Sequence, residues 1–278
     1  MVTKEHIRDA YLALGVRPGD IVLTHSSFKS LGPCEEGAAT VIDGIRMAVG
    51  EEGTVVFPTL CQKDWANVYR NWHLDADSDV GYLTNYFRKL PGAKRSDQAT
   101  HSVAAMGKLA DELTATHGQS GLRYGTYGDT PFAADSPWQK MYDMGAKVVF
   151  LGCWVRACTF RHFAEYVLME EYLKRAEGHP EYEELKAAVW KYETYSDGGI
   201  WPHIFVPYVV EVMESEDANK VHRVKCGEAE LIMLEARDFV DTAIRLLRAH
   251  DEKAFGDYPP LYTKAANIAW MKRVEELK

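Results

Sequence analysis

Apolar positions along the first sixty residues follow two different rhythms. Ile7, Ala10, Tyr11 and Leu14 fall three and four apart, the spacing of one helix face, and predict a helix over 3–14. After a turn through Gly15, Pro18, Gly19 and Asp20, the run Ile21-Val22-Leu23-Thr24-His25 is continuously apolar until its end and predicts a buried strand. Val41, Ile42, Ile45 and Val49 return to helical spacing over 39–49, and Thr54-Val55-Val56-Phe57, stopped by Pro58, predicts a second buried strand. Helix, strand, loop, helix, strand argues for a parallel or mixed sheet covered by helices. By analogy with other open α/β sheets, chemistry is expected at the carboxyl ends of the strands.

The pattern continues less regularly. Residues 60–80 are polar and aromatic and read as a long loop with one short helix. A helix is predicted over 82–90, ended by Pro91-Gly92, and another over 103–117 with Ser102 as its N-cap. Residues 118–135 read as a loop rich in Gly, Tyr and Thr. Ser136-Pro137-Trp138-Gln139 supplies a cap, a first-turn proline and a glutamine at the third helical position, a helix start. Residues 147–153 predict the third strand, and a long helix follows from Thr159 with Phe160, Phe163, Ala164, Val167 and Leu168 on its buried face. Residues 177–200 are charged and carry no assignment. From 204 to 234, the segments FVPYVVEV, KVHRVKC and ELIMLEA are predicted as antiparallel strands, before a final helix over 239–249. No repeat, low-complexity tract or linker-like boundary interrupts the chain, so residues 1–278 read as one domain.

The formal net charge of −9 disfavours a nucleic-acid partner, whose phosphates need clustered Lys and Arg, and suits a cationic small molecule. Cys34, Cys61, Cys153, Cys158 and Cys226 are odd in number and form no CxxC, which argues for reduced thiols in a cytoplasmic protein rather than a disulfide framework or a zinc site. The amphipathic N-terminus has no signal-peptide apolar region, and no stretch of about 18 apolar residues predicts a membrane span. Oligomeric state is not written in the sequence, and a homodimer stays admissible.

The sharpest chemical signal is Thr159-Phe160-Arg161-His162-Phe163-Ala164-Glu165. The apolar helix face is complete without His162 and Glu165, which are three apart and so neighbours on the helix surface. A carboxylate beside an imidazole raises its basicity and fixes its tautomer, as activation of an amine requires. A surface pair without a role and a metal-ligand pair stay open as alternatives. His25 closes the first strand ahead of Ser26 and Ser27, where a strand-end loop can offer N–H groups to a phosphate. Arg95 precedes the Ser102 segment and could bind phosphate beside a helix N-terminus. Asp64 and Trp65, with Asp77 further on, are carboxylates among aromatics suited to a cationic amine. Cys153 and Cys158 offer a nucleophile for a ping-pong path.

Taken in order, these segments resemble the aminoglycoside 3-N-acetyltransferase (antibiotic acetyltransferase) family. GVRPGDIVLTHSSFKSLGP with TVIDGIRMAVGEEGTVVFPT resembles its N-terminal signature, VGYLTNYFRKLPGAKRS with THSVAAMGKLADELTATH its central block, and DSPWQKMYDMGAKVVFLGC with TFRHFAEY its Thr-x-x-His-x-Ala-Glu motif. The resemblance implies a three-layer α/β/α fold around a mixed sheet, with the antiparallel strands added from the C-terminal third. It also implies direct acetyl transfer from acetyl-CoA, as cosubstrate and without a metal, to an amine. By this resemblance His162 is the catalytic histidine, Glu165 the acid beside it and Thr159 the threonine near the thioester. His25, Ser26, Ser27, Phe28, Lys29, Arg95, Ser102, Val103 and Ala104 form the coenzyme A site. Asp64, Trp65 and Asp77 are the acceptor-side candidates. Where family members often carry His-Pro, this chain has Gln98-Ala99, and residues 60–80 and 171–203 do not match the drug-modifying members. The acceptor therefore stays open between an aminoglycoside and another biosynthetic amine, with a non-catalytic coenzyme A-binding protein as the remaining alternative.

Overall fold

A computed structural model of the chain describes residues 1–63, 67–117, 131–189 and 198–277. Its helices are α1 (Lys4–Ala13), α2 (Ala38–Val49), α3 (Val68–Asn71), α4 (Tyr82–Phe87), α5 (Ala110–Thr114), α6 (Pro137–Asp143), α7 (Phe160–Ala176), α8 (Tyr182–Ala188), α9 (Val206–Glu216), α10 (Ala236–Arg248) and α11 (Lys264–Glu275). Its strands are β1 (Ile21–Ser26), β2 (Thr54–Pro58), β3 (Lys94–Arg95), β4 (Val103–Gly107), β5 (Lys147–Leu151), β6 (Val221–Cys226) and β7 (Ala229–Glu235). They make one seven-stranded sheet in the order β3-β4-β2-β1-β5-β7-β6. The central strands β2, β1 and β5 are parallel, and the pairs added at each side are antiparallel.

Side chains alternate across this sheet as the pleat demands. Val22, Val55, Phe57, Ala104, Val149 and Leu231 pack with α1 and α2 on one face. Ile21, Leu23, Val56, Val103, Val148 and Phe150 pack with α6, α7, α9 and α10 on the other. The three-layer mixed α/β arrangement expected from the sequence is therefore present. Burying each such Val, Leu or Phe stabilises the fold by roughly 1.5–3 kcal/mol, so the two cores fix the register of every central strand.

Two predicted elements are corrected. The 103–117 helix is instead β4, a turn and the short α5. Val103-Ala104-Ala105-Met106 favours helix by local propensity, but a full ladder to β2 and burial on both faces override it. The FVPYVVEV segment, predicted as a strand, forms α9. Val206, Val209, Val210 and Met213 are its buried positions, at spacings of three and four, and Pro207 lies in its first turn. The other two C-terminal strands are β6 and β7 as expected, and the short helix expected within 60–80 is α3; the helix expected over 239–249 is α10, but it is not the final one, since α11 follows it. Of the 118–135 loop, residues 118–130 lie outside the described residues, as do 190–197 of the unassigned 177–200 stretch. No helix among the described residues is long and apolar enough to cross a membrane.

Candidate active site

β1 leads to α2 on one face of the sheet, whereas its neighbour β5 leads to α7 on the other. The carboxyl ends of β1 and β5 thus diverge around a crevice, the place where open α/β sheets bind ligands. His25 at the end of β1 stacks on Phe150 of β5, with ring centroids 5.4 Å apart and planes 11° from parallel. Its Nε2 accepts a hydrogen bond from the Thr159 backbone N–H at 3.4 Å. Burial pushes the His25 pKa down to about 3, so the ring is neutral. His25 joins β1 to the start of α7 and carries no charge for a phosphate.

Thr159 is the N-cap residue of α7, and its side chain makes no capping bond. The next turns present Arg161, His162 and Glu165. Glu165 is fully buried, and its carboxylate accepts from three donors. His162 Nδ1 lies 2.8 Å and Trp201 Nε1 2.9 Å from Oε2, and the Ile204 backbone N–H donates to Oε1 at 2.8 Å. Burial alone would raise the Glu165 pKa, but the charge and hydrogen bond of His162 outweigh it and lower the pKa to about 2. An ionised carboxylate only accepts, so Nδ1 carries the ring proton and Nε2 is left as the basic lone pair. The Arg161 Nε–H donates to that Nε2 at 3.2 Å, which is consistent with this tautomer.

The segment that grips Glu165 is itself held. Asn267 of α11 accepts from the Trp201 backbone N–H at 2.7 Å and donates to the Trp201 carbonyl at 2.5 Å. Behind His162, the buried His101 ring stands edge-on with centroids 5.7 Å apart. Burial, then the nearby His162, holds the His101 pKa well below its ordinary value. His162 faces a cavity of about 230 Å³ at the strand ends, lined also by His25, Ser26, Gln62, Thr84 and Thr159. A second cavity of about 520 Å³, lined by Ser30, Gly152 and Trp154, adjoins it at Cys153.

The structure brings together His25, Ser26, Thr159, His162 and Glu165. The turn through Ser27, Phe28 and Lys29 continues from them, with Phe28 against Tyr82 and Lys29 exposed. The other coenzyme-side candidates stand differently. The Arg95 guanidinium is occupied by the carbonyls of Thr59, Leu74 and Ala76 and by the hydroxyls of Thr59 and Ser102. Ser102 caps no helix; it is buried and bonded to Thr59 at 2.9 Å. Val103 and Ala104 are buried within β4. These residues tie β3 and β4 to the end of β2, and their side chains present nothing to the cavity. Asp77 is an exposed carboxylate paired with Arg88 and Lys89. Asp64 and Trp65 lie outside the described residues. Burial pushes the thiols of Cys153 and Cys158 up to about 12, which leaves little thiolate for a nucleophilic path. Among the described residues, no three His, Cys, Asp or Glu side chains gather as a metal centre would need.

Local spacing assigns no role to Trp201, Ile204, Asn267 or His101, and Arg161 alone carries a local signal, its place beside His162.

A mixed α/β sheet with a buried carboxylate–imidazole pair at its switch point defines an α/β protein whose strand-end cavity presents an imidazole held by an ionised carboxylate. Comparison with known proteins narrows this class. Residues 23–248 match the family model described as aminoglycoside 3-N-acetyltransferase, and the chain belongs to that family. Aminoglycoside N(3)-acetyltransferase III of Salmonella sp is 31% identical over 184 residues, covering 60% of this chain and 61% of that protein. The match therefore spans about three-fifths of that relative's length. Aminoglycoside N(3)-acetyltransferase VII of Streptomyces paromomycinus is 29% identical over 273 residues, covering 87% and 90%. Among solved structures, AAC-IIIb in its binary complex with CoASH superposes with a TM-score of 0.67 at 19% identity, covering 93% of this chain and 99% of that one. That likeness concerns the fold.

Proposed function

We propose that this chain transfers an acetyl group directly from acetyl-CoA to an amine of an aminoglycoside or a related amino compound, with His162 as general base. The observation that carries the reading is the buried, ionised Glu165. It fixes the His162 Nδ1–H and so leaves Nε2 as the lone pair of a ring that lines the cavity. The family membership and the names of the relatives support the acetyl-transfer class.

When bound, acetyl-CoA supplies an acyl carbon activated by its thioester. Nε2 of His162 takes a proton from the attacking amine as its nitrogen bonds to that carbon and the carbon–sulfur bond breaks. The imidazolium then gives the proton to the departing sulfur. Glu165 stabilises the imidazolium while it exists, and general-base assistance of this kind contributes roughly 10²–10⁴-fold. Thr159 lines the cavity beside His162; its backbone N–H is already engaged by His25, so its hydroxyl is the group left for a developing oxyanion. Ser26 and the adjoining cavity past Ser30 and Trp154 offer room for the pantetheine arm.

The test is thiol release from acetyl-CoA against a panel of amines that includes several aminoglycosides. His162→Ala is expected to abolish turnover while acetyl-CoA still binds. Near-normal turnover in that variant would end the general-base assignment.

A further inference from the structure

Arg161 stands in the first turn of α7 and lines the cavity that His162 faces. The one hydrogen-bond partner of its side chain among the described residues is the Nε2 lone pair of His162, and it makes no salt bridge with them. Other arginines are matched: Arg88, Arg223, Arg245 and Arg273 pair with carboxylates, and Arg95 is surrounded by carbonyls. Arg156 lines the same cavity, with its guanidinium over the Phe205 ring at 5.4 Å. The described lining thus carries two guanidinium groups and neither Asp nor Glu. Glu165 is close enough for its charge to act on Arg161, but both its oxygens are taken by His162, Trp201 and Ile204, so it accepts no hydrogen bond from either guanidinium. A half-buried guanidinium that uses one of its five N–H donors is left under-satisfied on the cavity wall, and the N-terminal end of α7 adds partial charge of the same sign.

We propose that Arg161, assisted by Arg156, is an anion subsite, and that the acceptor carries a carboxylate or phosphate close to its reacting amine. This rests on the acetyl-transfer reading and specifies its substrate class. A planar guanidinium engages either anion through two parallel hydrogen bonds. Engagement also moves Arg161 off Nε2, the atom that has to meet the amine. Binding of an anionic acceptor therefore uncovers the base, whereas a polycationic acceptor meets two guanidinium groups and leaves the lone pair covered.

The test compares glucosamine 6-phosphate with glucosamine, and kanamycin with both, in the wild-type chain, Arg161→Gln and Arg161→Lys. Binding is read by calorimetry and turnover by thiol release. The wild-type chain is expected to favour the phosphorylated amine over glucosamine by roughly tenfold in binding and in kcat/KM, the size of one charge-assisted contact. Arg161→Gln should remove that preference and Arg161→Lys should keep part of it. A wild-type preference for glucosamine or kanamycin overturns the proposal, as does a preference unchanged in Arg161→Gln. If Arg161→Gln instead raises the KM for acetyl-CoA and not for the amine, the anion belongs to the donor's phosphates and the proposal is wrong. Failure of every amine to release thiol, with preferential binding of the phosphorylated amine intact, would sink the transferase reading and leave the subsite standing.

Discussion

Asn267 clasps Trp201 from both sides of its backbone, accepting from its N–H at 2.7 Å and donating to its carbonyl at 2.5 Å, more than sixty positions away in sequence. Through the Trp201 indole that clasp reaches Glu165, and through Glu165 it reaches His162. The orientation of the His162 ring is thus set from α11, beyond the residues that match the family model.

Asn267→Ala removes the acceptor of the buried Trp201 N–H and one of two donors to its carbonyl, which keeps the His203 N–H, at a cost of about 1–3 kcal/mol in stability. In the folded fraction, kcat should fall roughly 10–100-fold while the KM for acetyl-CoA holds, because a small displacement of a catalytic group is expensive. The acid limb of the pH–rate profile should move as well, which a purely structural role would not produce. Unchanged kcat in a folded Asn267→Ala protein would disconnect α11 from the site.

Glu165→Gln is nearly isosteric but electrically wrong. Two N–H donors converge on Oε2 and one on Oε1, so whichever way the amide turns, its own N–H₂ meets another donor. Turning it toward His162 forces the proton onto Nε2 and removes the basic lone pair. A loss of roughly 10²–10⁴ in kcat is expected by steady-state thiol release, with coenzyme A binding preserved.

Stability should fall as the medium is acidified through the histidine range. His25 and His117 are buried with pKa values pushed down by burial to about 3 and about 4, and His101 is lowered in the same way. In the unfolded chain each protonates near 6.5, so between pH 6.5 and those lower values the unfolded state binds more protons. Stability is complete above about pH 6.5 and declines below it, by at most roughly 1.4 kcal/mol per pH unit for each such histidine. Glu165, lowered to about 2, loses its contribution further down, between its unfolded value near 4.5 and 2. Urea midpoints measured from pH 8 to pH 4 check the slope; a flat curve would mean that these rings protonate within the folded state.

Gly107 ends β4 at a φ of 128°, and a Cβ there would lie 2.2 Å from the Gly53 carbonyl oxygen. Gly107→Ala should cost upwards of about 3 kcal/mol, seen as a lowered denaturation midpoint, since neither backbone segment can yield cheaply.

The central strands were legible because Val22-Leu23 and Val55-Val56-Phe57 are apolar on both faces, and only a covered sheet uses such runs. β4 was not, because Ala104, Ala105 and Met106 favour helix locally and only pairing with β2 reverses that. The β-branched valines of α9 favour a strand locally, although their spacing of three and four is that of a helix. At the site, the helical interval between His162 and Glu165 gave the pair. It could not give the burial of Glu165, whose other contacts come from 36 and 39 residues further on. Arg161 shows the remaining limit: its meaning depends on what it does not touch, which spacing never encodes.

The α11 clasp also bears on how the protein comes into being. A ribosome makes the sheet, α7 and both members of the imidazole–carboxylate pair before it makes Asn267. Chains made only that far will hold His162 and Glu165 yet lack the strut that aligns them, so competence should arrive only once α11 is in place. Shortening from the carboxyl side past residue 267 should silence the molecule even where most of its body still folds.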